Sequence, residues 1–234
     1  MIRLAALAAT LSLTAGAAVA QVHDMSKMVT LPPMPSVYAG EADKPGAPVF
    51  KGMGDWTMKV TATPPAQRFF DQGVNLMFGF NHAEAIRSFR EAARLDPDCA
   101  MCWWGVSMAL GSNINLPMPD DAIPPAWAAL QKAQALAPKV SPRERDWIAA
   151  LAKRYAPEKS PDRAKLNEAF AQAMGELARK YPDDLDAQTF WAEAMMDTQP
   201  WDYWQADAVT PKGHGAEIVA TLEKVIAKSP NHPG

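Results

Sequence analysis

Phe69–Gly105 reads FFDQGVNLMFGFNHAEAIRSFREAARLDPDCAMCWWG, and its spacing decides the fold. An aromatic residue at 69, a glycine at 73, a large apolar residue at 76, the Ala85-x3-Phe89 pair and a closing Pro97 fit a helix–turn–helix repeat. Gly73 and Ala85 are small enough to let two antiparallel helices approach, while Phe69, Leu76 and Phe89 fill the space between them. Gln72 stands where the pattern has leucine. The spacing predicts one helix from Pro65 to about Phe80 and a second over roughly 82–95. Asn81 followed by Glu84 reads as a capping-box-like start for the second, and Asp96-Pro97-Asp98 as its stop.

The same ending recurs. Pro97, Pro138, Pro182 and Pro230 each close an apolar-periodic run, at intervals of 41, 44 and 48 residues. Five residues before each proline stand Ala92, Ala133, Leu177 and Val225; eight before, Phe89, Leu130, Met174 and Leu222; twelve before, Ala85, Ala126, Phe170 and Ile218. One chance proline does not bring the same apolar register with it four times. These are second helices of four pairs, with first helices near 66–80, 99–110, 142–155 and 184–197. The fold class expected is therefore all-α: a tetratricopeptide-like helix–turn–helix solenoid over residues 66–234. The intervals exceed the repeat length because material is inserted inside the pairs: Gly111–Pro125, Ala156–Pro161 and Thr198–Gly213. All three inserts are expected to protrude from one edge, where a repeat protein often builds its recognition surface.

FDQGVNLMFGFNHAEAIRSFREAARLDPDCAMCWWG, followed by GSNINLPM, resembles a group of exported bacterial tetratricopeptide-repeat proteins that share FDQG, GFNHAEA, a CAMCWWG-like segment and an NIN-x-PM-like insert. The close resemblance covers about Ala66–Met118. It implies an α-helical repeat fold and export, and no reaction. It also implies a chain that continues past a turn like His232-Pro233-Gly234, so that this sequence would be an N-terminal fragment. The last helix then offers Ile218, Leu222, Val225 and Ile226 without a cover, an opening for self-association.

Residues 1–20 carry Arg3, an Ala/Leu-rich run and Ala18-Val19-Ala20, the pattern of a secretory signal peptide. Export to the periplasm or the medium is expected, with no other apolar run long enough to span a bilayer. From 21 to 65 the prolines forbid a long helix, and this stretch is expected to be a partly disordered leader that packs onto the first helix near Trp56. Thr57–Thr63 could be one short extended piece. A formal net charge of −3, without any Lys/Arg run, gives no electrostatic case for nucleic acid or an anionic membrane. The partner expected is a protein, a peptide or a small ligand.

Cys99 and Cys102 are the only cysteines, one helical turn apart at a helix start. In an oxidising compartment they are expected to form a disulfide staple; a redox-active pair is the alternative, because a helix N-terminus favours the thiolate. Trp103 occupies the place where haem attachment needs histidine. His23, with Met25 and Met28, could hold copper at a free amino terminus beginning Gln21; this third reading makes the chain a metal handler. His82 is read as a helix-start residue, and His214 and His232 as solvated turn residues. Asn113, Asn115 and Met118 in the second insert and Trp201, Tyr203 and Trp204 in the fourth are the candidate binding residues, since exposed aromatics in inserts mark binding surfaces. Trp191 is read as core. No nucleophile motif, phosphate loop or cofactor motif appears.

Overall fold

The computed structural model describes residues 31–158 and 161–234; the expected signal peptide, His23, Met25 and Met28 lie outside them. Among the described residues the regular structure is helical: α1 (Ala39–Ala42), α2 (Pro64–Phe78), α3 (His82–Leu95), α4 (Ala100–Ala109), α5 (Ile123–Leu136), α6 (Pro142–Leu151), α7 (Arg163–Lys180), α8 (Leu185–Met196) and α9 (Gly215–Lys228). Successive helices pack on one another along the chain, giving a repeat-like array of four pairs, α2–α3, α4–α5, α6–α7 and α8–α9. Of the twelve register positions before the four prolines, eleven are buried, from Ala85 and Phe89 in α3 to Ile218 and Val225 in α9. The exception is Leu222, which is half-buried.

Local chemistry sets the helix ends. Pro64 and Pro65 open α2, where a missing N–H costs nothing. Asp162 and Asp184 accept from the backbone N–H groups of Lys165 and Ala187 at the starts of α7 and α8. The capping box expected at Asn81 is absent, since its side chain makes no cap bond; Glu84 turns instead to Arg87, at 3.1 Å. A true capping box starts α6, formed by Ser141 and Glu144. Pro124 and Pro125, expected in the second insert, belong to the first turn of α5.

Phe89 shows how the first pairs are locked together. A Cβ on Gly73 of α2 would lie 2.6 Å from the Phe89 ring, and one on Gly105 of α4 would overlap it. The ring is thus clasped between two glycines and packs at a tilt against Phe70, centroids 5.5 Å apart. Phe70 takes the deepest site in this part of the core, while Phe69, expected there, is only half-buried. The first helices then converge. Trp104 of α4, Trp147 of α6 and Phe190 of α8 form an edge-to-face trio with ring centroids 5.3–5.5 Å apart, and Phe78 of α2 joins Phe190 at 5.0 Å. Aromatic packing thus joins the first helices of all four pairs.

The leader, residues 31–63, is ordered along the array. Arg90 and Arg87 of α3 donate to the carbonyls of Ala42 and Gly46. Buried Gln72 donates to Pro48 O and Ser88 Oγ and accepts from Phe50 N–H, at 2.8–3.0 Å. That explains the polar residue in a leucine slot: it bonds the leader to the first pair. Trp56 passes beyond the first helix, donating to Asp186 Oδ1 of α8 at 3.0 Å and packing at a tilt against His232, centroids 4.3 Å apart. His232 is therefore buried rather than solvated, its side chain 1% exposed. Thr57–Thr63 pairs with no strand, and the array has two ends with different linkers. At the turn end lie the short connections between pairs; at the insert end lie the connections within pairs.

Candidate functional site

The insert end does not carry a simply protruding loop. Ser112 and Asn113 are buried and Leu116 is half-buried. Asn113 Oδ1 accepts from the N–H groups of Asn115 and Leu116, closing a tight turn. Its Nδ2 meets His82 Nε2 at 3.3 Å, and His82 Nδ1 faces Ala109 O at 3.2 Å. Burial holds the His82 pKa below its ordinary value. Of the candidate residues in this insert, Asn113 and Met118 are buried and Asn115 is exposed.

Beneath this insert lies Arg154, 1% exposed, in the turn after α6. Its Nη2 donates to Ser112 O and to Asp197 Oδ2, the latter at 2.6 Å. Its Nη1 lies 3.0 Å from Met108 Sδ, and its guanidinium stands 4.7 Å from the Phe170 ring centroid. Gly111 allows this approach, because a Cβ there would lie 2.8 Å from both Arg154 Cζ and the Tyr155 hydroxyl. Tyr155 in turn donates to Ser107 O at 2.5 Å. Four buried polar atoms around the cluster have no hydrogen-bond partner: Ser112 Oγ, Arg154 Nε, Asn167 Oδ1 and Asp197 Oδ1. Such orphans are uncommon in native interiors, and each calls for an explanation.

Glu193 stands one turn before Asp197 on α8. Among the described residues its carboxyl makes no hydrogen bond. Burial, then the neighbouring Asp197 charge, push its pKa up to about 8, with Arg154 opposing. Asp197 itself is pushed up to about 6 by burial, against the pull of Arg154. One cation therefore serves two carboxylates, and it is committed to Asp197.

Glu193 opens into a pocket of about 270 Å³ between α2, α8, α9 and the 111–118 insert, with Phe78, Phe80, Ile114, Met196, Leu222 and Ile226 among its walls. This accounts for the half-burial of Leu222. Phe80 is held at φ 58°, a left-handed conformation costly for a bulky residue, and is half-exposed. The last helix is partly covered, contrary to expectation: Ile218 and Val225 are buried, and Ile226 is 59% exposed.

A larger groove, about 590 Å³, lies at the turn end along Trp56–Thr61. Its polar groups are already engaged: Arg143 with Asp184 at 2.7 Å, Asp186 with Trp56, and Glu144 with Thr61. Size does not favour it, because few groups there are left for a ligand.

The fourth insert closes on itself. Gln205 N–H donates to Thr210 O, Lys212 N–H to Tyr203 O, and Gln199 binds both strands of the loop. Trp201 and Trp204 are 70% and 45% exposed, whereas Tyr203 is half-buried. The structure does not bring them to Asn113 and Met118 as one lined site. Trp191 is half-buried beneath Arg179. Cys99 and Cys102 form a disulfide, Cα–Cα 5.4 Å, with both residues fully buried. Among the described residues no group of three or more His, Cys, Asp or Glu could hold a metal, and no helix is long and apolar enough to cross a membrane.

Sequence reasoning missed Arg154, Glu193 and Asp197. The available signal was Glu193-x3-Asp197, two acids one turn apart at the C-terminal end of α8. No family model, curated protein or solved structure matches the chain.

Proposed function

We propose that this chain is an exported, tetratricopeptide-like binding protein that takes a small ligand in the pocket between α2, α8 and α9. The observation that carries the reading is the pocket itself: apolar and aromatic walls around one unbonded carboxyl, Glu193. Ligand sites have this composition, with apolar surface for affinity and few polar groups for orientation. The tetratricopeptide assignment rests on the Gly73–Phe89–Gly105 clasp and the four-fold proline register. Export rests on the pattern of residues 1–20.

The redox alternative is disfavoured by the burial of both sulfurs, because exchange needs a thiolate that can reach its partner. The disulfide's place at the start of α4 suits a staple. The copper reading rests on His23, Met25 and Met28, which lie outside the described residues.

The test is titration with the neutral fluorescent amine N-phenyl-1-naphthylamine. Saturable binding at one site per chain is expected, lost in Ile114→Trp, whose indole fills the pocket. Absence of saturable binding, or full binding in the filled variant, would sink the proposal.

A further inference from the structure

We infer that the pocket selects an organic monocation, a primary ammonium on a small aromatic body, seated with its charge against Glu193. The inference rests on the ligand-binding reading above and adds the class of ligand.

Charge complementarity carries it. Arg154 faces two carboxylates; its Nη groups are engaged by Asp197 Oδ2, Ser112 O and Met108 Sδ, and only its Nε is unbonded. With both acids ionised the group of three is one positive charge short. Glu193 has no hydrogen-bond donor among the described residues, so nothing among them fills the deficit. The side chains facing it from the other elements are apolar: Phe78 from α2, Ile114 from the insert, Leu222 and Ile226 from α9. Asp197, which caps the end of α8, and Arg154 from the turn after α6 are the charged groups that act on it.

An ammonium entering this space would supply the missing charge and three donors to an acceptor that has none. Phe78 and Phe80 line the pocket, and aromatic rings attract a cation and pack against an aromatic body. A carboxylate ligand would meet the opposite situation, adding a third acid to a site that already holds one proton back. A neutral alcohol would keep the apolar contacts and gain only a weak bond to the protonated Glu193.

Proton balance gives a distinct signature. At pH 7 Glu193 is mostly protonated; formation of the Glu193–ammonium ion pair ionises it, and the proton passes to the buffer. No bond to carbon forms or breaks.

The experiment is calorimetric titration of the intact chain at pH 7 with 2-phenylethylamine, 2-phenylethanol and 3-phenylpropionate, in buffers of different ionisation enthalpy. The amine is expected to bind about tenfold more tightly than the alcohol, with release of close to one proton, and the carboxylate not measurably. Glu193→Gln is expected to keep alcohol binding while losing both the amine preference and the proton release. Equal affinity for amine and alcohol, or amine binding without proton release in the wild-type chain, would overturn the inference while leaving the pocket reading intact. If none of the three binds, the inference fails; N-phenyl-1-naphthylamine then decides whether the pocket reading fails with it. Because proton release is read on the wild-type chain, a Glu193→Gln variant that fails to fold does not spare the inference.

Discussion

Each end of the helix array holds a carboxylate taken partly or wholly from water, Glu144 buried and Glu193 half-buried at its pocket, with opposite outcomes. At the turn end, burial alone would raise the Glu144 pKa, but the hydroxyls and N–H groups of Thr61 and Ser141 outweigh it and hold the group below its ordinary value. At the insert end Glu193 lacks donors, and burial prevails. The difference teaches that the supply of donors, rather than depth, decides whether a buried acid serves the fold or waits for a partner. Two half-buried acids at the turn end also meet donors: Thr63 N–H donates to Asp96, and Arg143, Trp147 and Ala187 N–H to Asp184.

The largest break in this contrast should come from Arg154→Met. It leaves Asp197 and Glu193 without a cation and should cost about 4 kcal/mol at pH 7. The loss should shrink at pH 5, where both acids take up protons. Urea denaturation at the two pH values measures it, and a small loss that ignores pH would show that the cluster is not charged as described.

Glu144→Ala is the turn-end counterpart. It strips acceptors from Thr61 and Ser141 and frees the leader from α6, at a cost of about 2 kcal/mol. A lowered carboxylate pKa contributes stability above the unfolded value that is lost as pH falls through the folded one. The variant should therefore lose part of the wild type's acid sensitivity below about pH 4.5, and a denaturation series from pH 3 to 6 reads this. An unchanged acid limb would remove Glu144 from the comparison.

The smallest effect separates the ends by sign. Glu193, raised to about 8, contributes stability that is full below its unfolded pKa and is lost as pH rises through the folded value. Asp71 and Asp197, each raised to about 6, act the same way but are spent by then, and the lowered His82 acts below its ordinary value. Between about pH 6.5 and 8 the wild type should lose on the order of 1–2 kcal/mol, and Glu193→Gln should be flat. Parallel slopes in the two proteins would assign the decline elsewhere.

The helices were legible in the sequence because their signals are local: proline stops, and apolar residues at helical spacing before them. What joins distant segments was not. Nothing within a few residues of Glu144 points to Thr61, 83 positions earlier. Gln72 was visible as a departure from the repeat, but the leader carbonyl it meets could not be read from either stretch. Arg154, in Lys153-Arg154-Tyr155, reads as surface, because an arginine's burial depends on a carboxylate 43 residues away. Glu193 reads as one more scattered acid. Within the site, Asn113 was singled out and does lie at the insert end, though as a turn-closing residue beside His82. The acids' spacing was visible, but the aromatic walls around Glu193 depend on how α2 and α8 meet, and no spacing within one helix records that.

Repeat arrays usually gain stability from nearest neighbours, so whole units can be added or removed with little consequence. The ring trio of Trp104, Trp147 and Phe190 joins three pairs at one point, and Phe78 links the first pair to the same place. This array is therefore not modular. Removing one pair by design would open the aromatic centre rather than shorten a rod, and the chain should melt in one step, with loss of the near-ultraviolet circular dichroism that perpendicular, closely spaced indoles produce.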